Sequence, residues 1–157
     1  MRVDLHIHTS ASDGAWSPEA VVRGAEAGGL DVIAIADHDT TASISRAEMV
    51  GRESCVQVIP AIEVSSTYRG QDIHVLGYFV DPGSEVLLNH RAHATRRRDN
   101  RMREMLNKLA EADILVGYEN VTAAAGPDRG VLGRPHLARA LVTAGHATSV
   151  PAAFKRL

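Results

Sequence analysis

The apolar positions of the first half come in short runs separated by polar turns and helical stretches. Residues 3–7 read as a short strand, and the segment from Thr9 to Gly14 is polar and turn-rich. Ser17-Pro18-Glu19 has the form of a helix start: a capping hydroxyl, proline at the first helical position and an acid in the first turn. Val21, Val22, Ala25 and Leu30 follow on one face, and Gly28-Gly29 ends that helix. Residues 32–36 form a continuous apolar run rich in β-branched side chains, the pattern of a parallel strand covered on both faces. Thr40-Thr41 is expected to open a second helix reaching about Glu53. Residues 56–59 and 62–66 are expected as separate strands broken at Pro60, with Glu63 closing the turn between them, and 73–80 as another strand. The alternation marks an α/β layer or barrel.

After Asp81-Pro82-Gly83 the period changes to that of helices. One long helix is predicted over 86–112, a short one after Gly117-Tyr118-Glu119, a loop over 126–133, and two more helices over 134–144 and 150–157. The expected division is therefore an α/β part, 1–82, and a mainly helical segment, 83–157.

With 157 residues there is enough chain for one domain with a real core. A net charge of -2 argues against wholesale nucleic-acid or membrane binding, and 4% aromatics against a base-stacking platform. The single cysteine, Cys55, sits in a short apolar stretch and reads as a buried inert thiol; it fits a reducing, cytoplasmic setting. No apolar run is long enough to span a bilayer.

Three segments carry histidine and carboxylate in positions that suit a divalent cation. They are Asp4-Leu5-His6-Ile7-His8-Thr9 with Asp13 behind it, Asp37-His38-Asp39 at a buried strand end, and Glu63 followed by His74. In a strand, residues two apart share a face, so Asp4, His6 and His8 are expected to project together if the strand persists to His8. Asp37 and Asp39 would be costly beside a buried strand unless a cation or hydrogen-bond donors answered them, and either acid could orient His38. Glu63 could bridge two ions. A lone histidine in any of these places is more often a satisfied core or surface residue; the combination favours metal.

These motifs, with His74-Val75-Leu76-Gly77-Tyr78, resemble those of the PHP (polymerase and histidinol phosphatase) superfamily. Gly133-Arg134-Pro135-His136 extends the likeness to the branch of nucleoside 3′,5′-bisphosphate phosphatases and RNase AM-type enzymes. The resemblance implies an α/β fold, here an incomplete distorted (β/α)7 barrel of PHP type with a helical insertion. It implies two or three divalent ions (Mn, Fe or Zn) held by His6, His8, Asp13, His38, Glu63 and His74, with Asp13, His38 and Glu63 carrying the catalytic role. The metals would generate a hydroxide nucleophile for phosphate-ester hydrolysis. The family's later ligands, a His and an Asp-x-His pair, have no counterpart here, because His90, His93, His136 and His146 lack that motif. The chain is therefore expected to be the N-terminal portion of a longer protein, a truncated product, or half of a split assembly. A C-terminal half would supply the remaining ligands.

Arg91, Arg96, Arg97, Arg98, Arg101, Arg103 and Lys108 crowd the long helix, whose docking stripe is Met102, Met105, Leu106 and Leu109. Arg98 and Arg101 flank that stripe and are better placed than Arg97 to reach a phosphate. Arg134 and His136 are the other phosphate-binding candidates, Arg as a bidentate fork and His as a proton donor. The expected function is a metal-dependent phosphoesterase acting on a 3′,5′-bisphosphonucleotide or a short RNA 5′ end. Its alternatives are a histidinol-phosphate-type phosphatase and a non-catalytic metal- or nucleotide-binding fragment.

Overall fold

A computed structural model of the chain describes residues 1–127 and 130–155. Four strands and two helices come first: β1 (Val3–Ile7), α1 (Pro18–Ala27), β2 (Val32–Ile35), α2 (Ile44–Gly51), β3 (Gln57–Tyr68) and β4 (Gln71–Tyr78). Four helices follow: α3 (Glu85–Glu111), α4 (Tyr118–Ala125), α5 (Arg134–Thr143) and α6 (Val150–Phe154). Parts of the expected 126–133 loop and of the last predicted helix, residues 128–129 and 156–157, lie outside the described residues. No helix among the described residues is long and apolar enough to cross a membrane.

The sheet order is β1-β2-β3-β4. β1, β2 and β3 are parallel, as the buried run of β2 demands. Its Ile33 and Ile35 face α1 and α2, packing with Val22, Ala25, Ala47 and Val50. Its alternate residues, Ala34 and Ala36, face the inside of the sheet with Ile59 and Ala61. Small side chains there let the sheet curl. Tyr78 on β4 reaches far enough across to donate its hydroxyl to the Leu5 carbonyl of β1 at 3.0 Å, although the two strands are opposite edges.

Two expectations about β3, the break at Pro60 and the turn at Glu63, are corrected. Pro60 does not break the third strand; β3 runs through it for 12 residues, and Glu63 sits mid-strand rather than at a turn. The ladder to β4 begins only at Ala61, so the missing proline N–H falls beyond it, while the Pro60 carbonyl still accepts from Val80 N–H. β4 is antiparallel to β3. Arg69 and Gly70 both have positive φ (50° and 78°), the two-residue hairpin turn that can only join antiparallel neighbours.

Smaller departures have local causes. α2 starts at Ile44 rather than at Thr40-Thr41. The Thr40 hydroxyl accepts from Ala42 N–H and Thr41 donates to the Pro82 carbonyl, so both residues build the turn before the helix. Cys55 is exposed, not buried, because in the α2–β3 connection only Val56 turns inward. α3 docks as expected through Met102, Leu106 and Leu109, joining Val121, Leu137 and Leu141 in a separate helical core.

The loop after β1 is anchored from below. Asp37, fully buried, receives the backbone N–H and hydroxyl of Thr9 (both 2.7 Å), the Ser12 hydroxyl (2.5 Å) and the Ser43 hydroxyl. Gly14 closes the same loop so tightly that a Cβ there would lie 2.5 Å from the His8 carbonyl oxygen. Asp37→Ala would strand four buried donors. It should lower unfolding stability by about 3 kcal/mol in denaturant titration; a loss under about 1 kcal/mol would show that the loop does not depend on this carboxyl group.

Candidate metal centre

The hairpin register sets one wall of the site. Ser65 pairs with His74 and Glu63 with Leu76, so Glu63, Ser65, Asp72 and His74 share the inward face. β2 extends past Ile35 by one isolated parallel bridge, His38 to Glu63. Glu63 N–H donates to the Asp37 carbonyl (3.1 Å), and Asp39 N–H donates to the Glu63 carbonyl (2.9 Å). His38 is thereby fixed beside the Glu63 side chain.

Around that buried carboxylate four imidazoles converge. Glu63 Oε2 lies 2.9 Å from His6 Nε2, 2.9 Å from His8 Nε2 and 3.4 Å from His38 Nδ1, while Oε1 lies 2.6 Å from His74 Nδ1. Asp13 stands on the far side of His8 and His38, 3.4 Å from His8 Nδ1 and 3.7 Å from His38 Nε2. Three sets of possible ligands result: His6, His8 and Glu63; His8, Asp13 and His38; His38, Glu63 and His74. All six expected ligands are thus brought together. Asp4 is not among them, and its carboxylate accepts from the His6 backbone N–H instead.

Protons alone satisfy this arrangement poorly. His6 Nε2 and His8 Nε2 are 3.0 Å apart, and both face Glu63 Oε2. If both donate to the carboxylate, they confront each other donor to donor. Ligand atoms held about 2.1 Å from one ion lie roughly 3 Å apart, the spacing seen here. Among the described residues His38 Nδ1 is buried without a hydrogen-bond partner, a rare state that a cation would relieve. Imidazole and carboxylate donors together suit a divalent cation. Burial pushes the His38 pKa down, against the opposing pull of Asp13 and Glu63. Burial would raise Glu63, but hydrogen bonds from His6 and His74 and the nearby His38 and His8 hold it below its ordinary value.

The acid pair flanking His38 is answered by donors. Asp37 takes the loop hydroxyls. Asp39 adopts a left-handed backbone (φ 55°) and turns its buried carboxylate toward α3. It accepts from Ser65 N–H (2.8 Å), His90 Nε2 (2.9 Å) and Arg98 through Nε (3.0 Å) and Nη2 (2.7 Å). Burial would raise Asp39, yet these hydrogen bonds and the Arg98 charge hold it at about 2. Neither acid is hydrogen-bonded to His38, so orientation of that ring by Asp37 or Asp39 is not what the structure shows.

A cleft of about 330 Å³ opens beside the cluster, walled by Asp13, His38 and His74 on one side. Arg97, Arg98, Arg101 and Arg134 line it elsewhere, with Met105 and Phe154 among its apolar surfaces. Arg98 is there as expected, but its fork is engaged by Asp39 and by Ser65 Oγ (2.7 Å). Arg101 stands 4.0 Å from Asp72, both well exposed, and Arg134 lies exposed at the start of α5. Arg97 also reaches the cleft, which its place four residues before Arg101 on α3 could have signalled. His136 is placed differently from expectation. It is 1% exposed, its Nδ1 accepts from Gly133 N–H (2.9 Å), and burial with the nearby Arg139 pushes its pKa down to about 4. The ring is enclosed behind Gly133 and does not line the cleft, so this fold does not present it to a phosphate there. His90, which holds Asp39, had no signal in the sequence beyond its helical setting.

Residues 4–132 match the PHP domain family. The chain is 37% identical to a 5′-3′ exoribonuclease of Haemophilus influenzae, over 99% of this chain and 56% of that protein. It is 27% identical to a 3′,5′-nucleoside bisphosphate phosphatase of Chromobacterium violaceum, over 98% of this chain and 54% of the relative. Among solved structures, a Bifidobacterium adolescentis protein assigned as a metal-dependent phosphoesterase superposes with a TM-score of 0.84 at 33% identity, over 99% of this chain and 54% of the other. The chain spans about half the length of the curated relatives it matches.

His136 makes a pH prediction for the metal-free protein. Its folded pKa, about 4, lies below the ordinary 6.5, so between these values the unfolded chain binds the proton first. Stability should therefore fall as pH drops from about 6.5 to 4, by on the order of 2–3 kcal/mol from this residue. Denaturant titrations at several pH values should show a shallower fall in His136→Asn; an identical profile would mean that His136 does not titrate as its burial demands.

Proposed function

This chain belongs to the PHP domain family, and from that premise we propose that it forms the metal-binding half of a phosphoesterase acting on a 3′,5′-bisphosphonucleotide or a short RNA 5′ end. The observation that carries the reading is the convergence of four imidazoles on the Glu63 carboxylate, with His38 Nδ1 near that carboxylate but without a hydrogen bond among the described residues. We assign the ligands as His6, His8, Asp13, His38, Glu63 and His74, holding two or three ions of Mn, Fe or Zn. When bound, such ions supply Lewis-acid polarisation of the phosphoryl group and activation of water at neutral pH.

The chain's own residues do the remainder. Glu63 presents one oxygen to His6, His8 and His38 and the other to His74, a disposition suited to bridging. Asp13 closes the second ligand set on the cleft side, where the scissile ester would enter. Arg134 and Arg101, with Arg97, offer guanidinium groups to a phosphate, whereas Arg98 is held rigid by Asp39 and adds fixed positive charge. Several arginines around one cleft favour a substrate with two phosphates over histidinol phosphate. The lone cysteine suits a reducing, cytoplasmic setting.

The test is phosphate release from a nucleoside 3′,5′-bisphosphate with added Mn²⁺, by this chain and by a longer protein made by extending it at its C-terminus to the length of its relatives. Asp13→Ala and Glu63→Ala should each lower kcat/KM about 100-fold or more, and Arg134→Ala should raise KM more than it lowers kcat. Full metal occupancy with no hydrolysis of any phosphoester in the longer protein would overturn the reading. Activity confined to the longer protein would make this chain a binding fragment of the enzyme.

A further inference from the structure

The loop that carries Asp13 is held from two sides, and only one of them belongs to the strand region. Asp37 grips it from the segment just after β2. From the other side the helical segment reaches its carbonyl groups. Gly130 N–H donates to the Ala11 carbonyl at 2.9 Å, and Arg139 Nη2 on α5 donates to the Asp13 carbonyl at 3.3 Å. The buried His136 ring faces the backbone of Ser12, between them. The fit is close, because a Cβ on Gly130 would stand 2.4 Å from the Ala11 oxygen.

Arg139 is unusual for its setting. It is half-buried, and among the described residues its buried Nε has no hydrogen-bond partner and no carboxylate pairs with it. A guanidinium kept in such surroundings, with a main-chain oxygen of Asp13 as its hydrogen-bond acceptor, costs stability. The contact earns its retention if it fixes something else. What it fixes is the backbone of Asp13, whose carboxylate must stand between His8 and His38.

We propose that Arg139 is a positioning residue for Asp13, and that α5 thereby sets the ligand group formed by His8, Asp13 and His38 while leaving the group formed by His6, His8 and Glu63 untouched. The inference rests on the metal reading of the cluster. α5 also presents Arg134 and Pro135 to the cleft, so one helix orients both the substrate end of the cleft and the ligand facing it.

Calorimetric titration of the chain with Mn²⁺ alone tests this without recourse to turnover. Arg139→Met should weaken one class of Mn²⁺ site about tenfold or more and leave another unchanged, and Arg139→Lys, which keeps a donor, should restore most of the loss. Combined with Asp13→Ala, Arg139→Met should add nothing further; combined with His6→Ala, the two effects should add. Gly130→Ala, which pushes the same loop through Ala11, provides a second route to the same selective loss if Arg139→Met does not fold. A uniform weakening of every site, or full additivity with Asp13→Ala, would overturn the proposal and leave Arg139 a packing residue. Absence of any Mn²⁺ binding by the unmodified chain and by the longer protein would instead remove the metal reading beneath it.

Discussion

Glu63 is held by its main chain and its side chain at once, and the site depends on that double hold. Its N–H and carbonyl are locked to Asp37 and Asp39 on either side of His38. Its carboxylate, almost fully buried, lies within 3.4 Å of nitrogens from four histidines. A carboxylate so buried requires compensating positive charge or hydrogen bonds. The same geometry that makes such burial costly makes the carboxylate a candidate anchor for cations.

The acids flanking His38 show how a chain can place three titratable groups in succession without mutual repulsion dominating. Asp37 points down into hydroxyls that brace the loop after β1. Asp39, through its left-handed backbone, points away toward Arg98 and His90 on α3. His38 is left between them, turned toward Glu63 and Asp13. Each acid therefore ties the strand end to a different neighbour, and the ring's own environment is set by what remains.

The helical segment is consequently part of the site rather than an appendage. α3 contributes the charge that neutralises Asp39 and the arginines of the cleft; α5 contributes Arg134 and a hold on the Asp13 loop. The helices pack around their own core, yet their contacts with the ligand-bearing loops are polar and specific. A solved structure about twice as long superposes on this chain over the matched portion, and the fold here is the open part of a PHP-type α/β barrel.

The sequence alone determined the helix start at Ser17-Pro18, the buried parallel strand that begins at Val32, the change of period after residue 82 and the residue types of a candidate cation cluster. These are local properties, written in capping chemistry, periodicity and the scarcity of reasons to place His and Asp at strand ends. Tertiary structure decided the rest. Pro60 stays within a strand because its neighbour's ladder starts one residue later, and β4 is antiparallel because Arg69-Gly70 turns as a tight hairpin. His136 is sealed into a helix cap, Arg98 is committed to Asp39, and Arg139 reaches Asp13 across 126 residues. Periodicity can say that a side chain is polar and which face it shares. Which partner absorbs its charge depends on how distant segments pack, and no local pattern encodes that.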